Sequence, residues 1–259
     1  MLQVAIEAAM SAGKFLKQNI GKFKSVQQKD GQDRNLVTEI DKKSEELIIK
    51  IISSHFPSHD ILAEESGHDR GKPSEYRWII DPLDGTTNFT HGLPIFCVSI
   101  GVEFKGEMIA GVIYDPNTNE LFTSEKGSGA FLNGKRIHVS QVDNIGESIL
   151  VTGFPYNIIE NPDHAVDHFV NFLMKAQAVR RLGSAALDLA YLASGRFDGF
   201  WEVALQPWDM AAGVLLLQEA GGVITNFSGT KFNLYEKQLL ASNGTIHNQM
   251  LDVIKSVSK

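Results

Sequence analysis

Apolar residues recur at helical spacing near both ends of the chain and at strand spacing through its middle. From about Leu2 to Gln18, Val4, Ile6, Ala9, Met10, Ala12, Phe15 and Leu16 fall broadly on one side of a helix, which reads as a core face and not a membrane anchor. Lys24 to Asn35 is polar and contains Gly31, so it predicts a loop or a loose hairpin. Thr38 opens a second helix, with Ile40, Leu47, Ile48, Ile51 and Ile52 on its buried side and Pro57 marking its end. Ile61 to Ala63 is a short strand that stops at Glu64-Glu65-Ser66-Gly67, and 67–75 reads as a surface loop. The apolar run Trp78 to Ile80 is a buried strand that ends abruptly at Asp81.

From Phe96 the period changes to two. Phe96–Glu103, Met108–Tyr114, Leu121–Ser124 and Ala130–Leu132 are strand-like, and Lys105-Gly106, Asp115-Pro116-Asn117 and Asn133-Gly134 are turns between them, giving an antiparallel meander. Gly127-Ser128-Gly129 precedes a strand and not a helix, which excludes a dinucleotide loop there. A polar stretch around 140–147 suggests a boundary between an N-terminal part, 1–143, and a C-terminal part, 144–259. Beyond it strands and helices alternate. Strands are expected at Ile149–Thr152, Gly199–Val203, Val223–Asn226 and Leu239–Ser242. Helices are expected at Pro162–Ala176, from Ser184 to Gly195, from Pro207 to Gly221-Gly222, and at Thr245–Val257. No repeat or low-complexity segment interrupts the pattern.

Composition narrows the class. The 259 residues are 43% hydrophobic and 21% charged, as in an ordinary globular protein with a real core. Net charge is −7, from 24 basic and 31 acidic residues. That argues against a nucleic-acid surface or a polybasic membrane patch, and suits a protein that holds cations. Cys97 is the only cysteine and lies in an apolar strand, so it fills core, and a reducing cytoplasm is the expected setting. The N-terminus has no basic leader region, and no apolar run is long enough to span a bilayer.

The candidate chemistry gathers at Asp81-Pro82-Leu83-Asp84-Gly85-Thr86-Thr87. A strand delivers two carboxylates to a glycine turn and a helix start. Carboxylates collect hard cations, and free N–H groups at a helix start collect phosphate. A charged surface turn is the plain alternative, but two Asp flanking Pro after a buried strand are out of the ordinary for one. An aspartyl-nucleophile phosphatase, which reads Asp-x-Asp-Gly-Thr, is set aside because Pro82 stands where its nucleophile belongs. Asp41 and Asp209 each sit in the first turn of an expected helix, where a dipole-satisfying acid is ordinary. Together with Glu64, Asp81 and Asp84, however, Asp209 completes a set of four acids that would repel unless cations were present. All are oxygen donors and no His/Cys ligand set is evident, so Mg²⁺ is the expected cation. His164 and His168, four apart on a helix, are expected to be exposed surface residues.

Several separated motifs resemble the inositol monophosphatase family, and the likeness covers nearly the whole chain. They are Leu36-Val37-Thr38 with Asp41, Glu64-Glu65-Ser66, the Asp81–Phe89 stretch, and Pro207-Trp208-Asp209 with Ala220-Gly221-Gly222. The segments Thr152-Gly153-Phe154-Pro155 and Gly183-Ser184-Ala185-Ala186-Leu187-Asp188 look most like the bacterial inositol-1-monophosphatases. The resemblance implies an α+β fold, a layered αβαβα sandwich of the inositol monophosphatase and fructose-1,6-bisphosphatase type. It implies a homodimer, inhibition by Li⁺, and two to three Mg²⁺ ions per site. Glu64, Asp81 and the Leu83 carbonyl would hold one ion; Asp81, Asp84 and Asp209 a second; a weaker third would lie near Glu64. Water activated by the ions would be oriented by Thr86 and Asp41, and the N–H groups of Gly85 and Thr86 would hold the phosphate. Gly183, Ser184, Ala185 and Glu202 would contact the alcohol, and Arg180 and Arg181 a second anionic group. The Lys29–Arg34 loop looks longer than the family's, and Lys29 is the candidate for its lysine near the third ion.

The implied activity is hydrolysis of small phosphate monoesters, inositol 1-phosphate first. Fructose-1,6-bisphosphatase, 3′-phosphoadenosine 5′-phosphate phosphatase and histidinol-phosphatase activities need the same acids and stay open. So does a regulatory or scaffold role that binds a protein or RNA partner on the same fold.

Overall fold

The computed structural model describes residues 1–22, 26–28, 36–67 and 74–257, with backbone alone at 26–28, 36 and 37. The first helix, α1 (Leu2–Asn19), owes its position to small side chains. Ala5, Ala8, Ala9, Ala12 and Leu16 are its buried face. This stripe is rotated from the predicted one: Met10 is 45% exposed. Burial here follows close approach, which alanine permits, and not side-chain size. Gly13 shows the same constraint, because a Cβ on it would lie 2.5 Å from the Tyr114 ring.

Strands β1 (Val26–Gln28) and β2 (Leu36–Thr38) pair antiparallel, where the sequence left a loop and a loose hairpin open over 24–35; Lys29 and the rest of the segment between the strands lie outside the described residues. Helix α2 (Glu39–His55) starts at a reciprocal cap in which Thr38 accepts from the chain and Asp41 reaches back to the Thr38 N–H. Its buried face is mixed: Ile40, Ile48 and Ile52 lie beside Asp41, Ser44 and Glu45, whereas Leu47 and Ile51 are only half-buried.

The first sheet runs in the order β3 (Asp60–Ala63), β4 (Tyr76–Asp84), β5 (Cys97–Phe104), β6 (Glu107–Asp115), β7 (Glu120–Glu125), β8 (Gly129–Leu132), β9 (Lys135–Ile137). β3 is parallel to β4 and the rest form the expected meander. β4 does not end before its acids, as expected, but continues through both. Asp81 pairs with Ser99 and Asp84 with Cys97, so β4 carries one more residue than β5 between them. Pro82 has no N–H for the ladder, and a bulge absorbs it. β9 was not foreseen, because Lys135-Arg136 are polar and exposed.

The second sheet contains β10 (Ile149–Thr152), β11 (Ala178–Arg180), β12 (Gly199–Val203), β13 (Val223–Thr225) and β14 (Gln238–Ser242), in the order β11-β10-β12-β14-β13. β10 is parallel to both neighbours, and β14 is antiparallel to both of its own. Besides the five-residue α3 (Thr86–Thr90), the remaining helices are α4 (Ala165–Leu173), α5 (Ala185–Ala193), α6 (Pro207–Glu219) and α7 (His247–Lys255). α4 starts three residues later than predicted, since Asp163 and His164 take left-handed φ of 48° and 57°. His164 is exposed as expected, but His168 turns inward at 4% exposure and packs edge-on to Phe227.

These elements stack as five layers. α1 and α2 cover one face of the first sheet and α5 and α6 the other; α5 and α6 also cover one face of the second sheet, whose far face carries α4 and α7. The expected boundary at 143/144 falls in the chain between β9 and β10, while the middle layer packs on both sheets. No helix among the described residues is long and apolar enough to cross a membrane.

Candidate active site

Four acids approach one another from three segments. Glu64 follows β3, Asp81 and Asp84 flank the bulge of β4, and Asp209 lies in the first turn of α6, where its Oδ2 accepts the Gln206 N–H at 2.7 Å. Asp81 is 2% exposed, and its Oδ1 accepts the Leu83 N–H at 3.0 Å. Asp84 Oδ2 accepts from the Ser184 hydroxyl at 2.8 Å and from the Ala186 N–H at 2.7 Å, so the start of α5 is tied to β4. These bonds use one oxygen of each aspartate.

The electrostatics record the crowding. Burial, then the charges of Glu64, Asp84 and Asp209, push the Asp81 carboxyl well above the usual range. Burial raises Asp84 to about 6, against the hydrogen bonds from Ser184 and Ala186. Asp209 is raised too, by burial and then by Asp84. Asp81, Asp84 and Asp209 are thus harder to ionise through burial and through the neighbouring acids, the condition that a bound cation relieves.

The donor set fits a hard cation: carboxylates and the Leu83 carbonyl, all oxygen. Among the described residues no three His, Cys, Asp or Glu side chains are gathered closely enough to form a ready-made metal cage. Mg²⁺ does not require one, because it keeps several waters and commonly takes one or two carboxylates with the substrate's phosphate.

Beside the acids, Thr86 Oγ1 donates to Asp41 Oδ1 at 2.9 Å and lies 3.1 Å from the Leu83 carbonyl. Asp41 is fully buried and its Oδ2 is taken by the Thr38 N–H and hydroxyl, at 2.9 and 2.6 Å. Asp41 therefore acts on the site through Thr86 alone. Gly85 turns the chain into α3 at φ 101°, and a Cβ there would meet the Ile95 carbonyl at 2.9 Å. Only glycine fits.

The sequence matches the Inositol monophosphatase family over residues 1–259. The chain belongs to the inositol monophosphatase family. An inositol-1-monophosphatase of Mesorhizobium japonicum is 41% identical over 255 residues, 98% of this chain and 96% of its own. The Nus factor SuhB of Escherichia coli K12 is 42% identical over 251 residues, 97% and 94% of the two chains. The solved inositol monophosphatase of Anabaena superposes with a TM-score of 0.89 at 45% identity, over 98% of this chain and 95% of that one. This family member is accordingly a phosphoric monoester hydrolase with the layered fold of its relatives.

On the far side of Asp84, this inositol monophosphatase family member carries a second acidic group. Burial, then Asp84, raises Glu202 to about 8, with Arg181 opposing. Gly153 makes room for it: a Cβ there would lie 2.2 Å from Glu202 Oε1. Asp188, in the first turn of α5, is 1% exposed, and its Oδ1 has no hydrogen-bond partner among the described residues. Arg181 lies against the Phe154 ring, its Cζ 5.9 Å from the centroid, whereas Arg180 is exposed and donates to the Val179 carbonyl. Of the other expected alcohol contacts, Gly183 is exposed; Ser184 and Ala185 are buried, with the Ser184 hydroxyl turned onto Asp84.

Asn88 was not singled out from the sequence. Its Nδ2 donates to the Ile95 and Leu182 carbonyls, both at 2.8 Å, tying the central motif to the loop before Gly183. Its place seven residues after Asp81 was the available signal. Gly153 and Asp188 carried no local signal beyond the family likeness. An open groove of about 740 Å³ lies not over the acids but beside α2, against Lys42, Glu46, Lys50 and Glu65.

Proposed function

We propose that this protein hydrolyses small phosphorylated polyols, myo-inositol 1-phosphate foremost, with two to three Mg²⁺ ions. The observation that carries this is the meeting of Glu64, Asp81, Asp84 and Asp209 beside the Thr86–Asp41 pair. When bound, Mg²⁺ would supply charge neutralisation for the phosphate and a more acidic water. Glu64, Asp81, Asp84, Asp209 and the Leu83 carbonyl would hold it. Thr86 gives its hydrogen to Asp41, so its oxygen is left as an acceptor that can orient a water molecule. Gly85 and Thr86 face the phosphate through their N–H groups. Glu202 accepts hydroxyl hydrogen bonds from the alcohol, which favours a polyol over a nucleotide. A second copy of the chain is part of this reading. Val166, Val170 and Leu173 of α4 and Met174 just after it, the last 79% exposed, form an apolar stripe suited to one, and sedimentation at micromolar concentration would show monomer mass if it is wrong.

The test is phosphate release from inositol 1-phosphate, fructose 1,6-bisphosphate and 3′-phosphoadenosine 5′-phosphate, with and without Mg²⁺. The expected result is Mg²⁺-dependent turnover led by inositol 1-phosphate. A lead by either bisphosphate would keep the chemistry and replace the substrate. The relatives' names favour one second reading: an inositol-1-monophosphatase and a Nus factor SuhB stand at equal distance, 41% and 42%. A regulatory, partner-binding role on the same fold is that reading, and no turnover on any substrate would leave it standing alone.

A further inference from the structure

The first two turns of α2 carry three buried polar side chains, Asp41, Ser44 and Glu45, at 0%, 0% and 4% exposure. Spacings of three and four residues place them side by side on one helix face. Ile40, Ile48 and Ile52 fix the same helix in the core. Each polar side chain reaches a different segment of the site. Asp41 takes the Thr86 hydroxyl. Ser44 Oγ donates to the Pro82 carbonyl at 2.8 Å, inside the bulge between Asp81 and Asp84. Glu45 accepts the N–H of Glu65 on Oε2 at 2.8 Å and that of Ser66 on Oε1 at 2.9 Å.

The Glu45 pair has a definite geometric reason. The Glu64 N–H still donates to the Ile80 carbonyl, at 3.2 Å, as the last rung between β3 and β4. The chain then leaves the sheet and closes a turn with the Gly67 N–H on the Ala63 carbonyl, at 3.1 Å. Two successive N–H groups inside that turn point at α2. A carboxylate supplies an acceptor to each; a glutamine would keep one acceptor and turn an NH₂ group on the other N–H.

We propose that Ser44 and Glu45 are positioning residues: with Asp41 they make α2 a rigid gauge that sets the Glu64 turn and the Asp81–Asp84 bulge relative to Thr86. The acids then face a divalent cation as a group. The inference rests on the cation reading above. Partners one step removed from a metal's ligands typically govern about 10- to 100-fold in affinity.

Mn²⁺ binding to the full chain, read by electron paramagnetic resonance and calorimetry, tests it, alongside melting temperature in excess chelator. Glu45→Gln is expected to weaken Mn²⁺ binding on the order of 10-fold, and Ser44→Ala measurably. Glu46→Gln, exposed on the same helix, should leave it unchanged. Ser44→Ala, which leaves the Pro82 carbonyl without its donor, should melt lower in chelator yet remain fully folded at the temperature of the Mn²⁺ titration, so that its loss of Mn²⁺ affinity is not a loss of folding. Wild-type affinity in both Ser44→Ala and Glu45→Gln would overturn the proposal, and if Glu45→Gln does not fold, Ser44→Ala decides alone. Absence of Mn²⁺ binding by the unaltered chain is a separate result, which would overturn the cation reading and this inference with it.

Discussion

Asp84 stands where two layers meet: it belongs to β4, yet its Oδ2 is held by the start of α5. Asp84→Asn keeps the shape and one oxygen acceptor but removes the charge. We expect it to lower phosphatase turnover by about 10²- to 10³-fold, in line with removal of a residue whose effect is exerted in the transition state, while leaving any partner binding intact. Near-full turnover in a phosphate-release assay would mean that the two-ion assignment is wrong. At this scale the sequence was legible where residues are adjacent. Asp81, Asp84, Gly85 and Thr86 could be read as one site because they fall within six consecutive positions. Ser44 and Glu45 could not, because their partners Pro82, Glu65 and Ser66 come from other segments. A buried hydrogen bond to a backbone group leaves no mark on the partner's identity.

Elements were legible where their period was strong, and less so where close packing decided. The meander was read nearly strand for strand. The α1 face was misread because small residues, not large ones, face inward. α6 poses the same problem in the middle layer. A Cβ on Gly213 would lie 2.6 Å from Leu189 Cδ1 and 2.7 Å from Leu189 Cβ, and the second atom cannot rotate away. Gly213→Ala gains about 1 kcal/mol of helix propensity, against about 1–3 kcal/mol of overpacking. The packing cost is expected to win, lowering the melting temperature by up to about 8 °C for a chain of this size. A rise in calorimetric melting temperature would show that α5 and α6 can part at little cost.

For the whole molecule, the raised acids make stability depend on pH. Asp84 binds its proton up to about pH 6 in the fold but only to 3.8 as an ordinary carboxyl, and Glu202 holds on up to about 8. Over that window these two groups bind more protons in the native state than in the unfolded chain. The stability they contribute is therefore complete below about pH 4 and falls as pH rises through 6 towards 8, while the buried His168 and His247, whose pKa values are lowered, act in the opposite sense. A cation competes for the same oxygens, so the gain in melting temperature on adding Mg²⁺ should grow with pH. Melts from pH 5 to 8.5 in chelator and in Mg²⁺ measure it; a flat chelator series would remove the acid cluster as the cause. The five layers themselves were expected only through the family likeness, since no local pattern says that α5 and α6 serve both sheets.

That shared layer has a consequence during synthesis. The first sheet is complete once Ile137 has been made, but the helix that covers most of its inner face ends only at Glu219. At roughly 5–20 residues per second the ribosome needs about 4–16 s to bridge that gap. Throughout it Ile79, Ile113 and Phe122, all in the core between the sheets, are without their cover. A nascent chain of this protein therefore offers a chaperone an apolar sheet face that the finished molecule never shows.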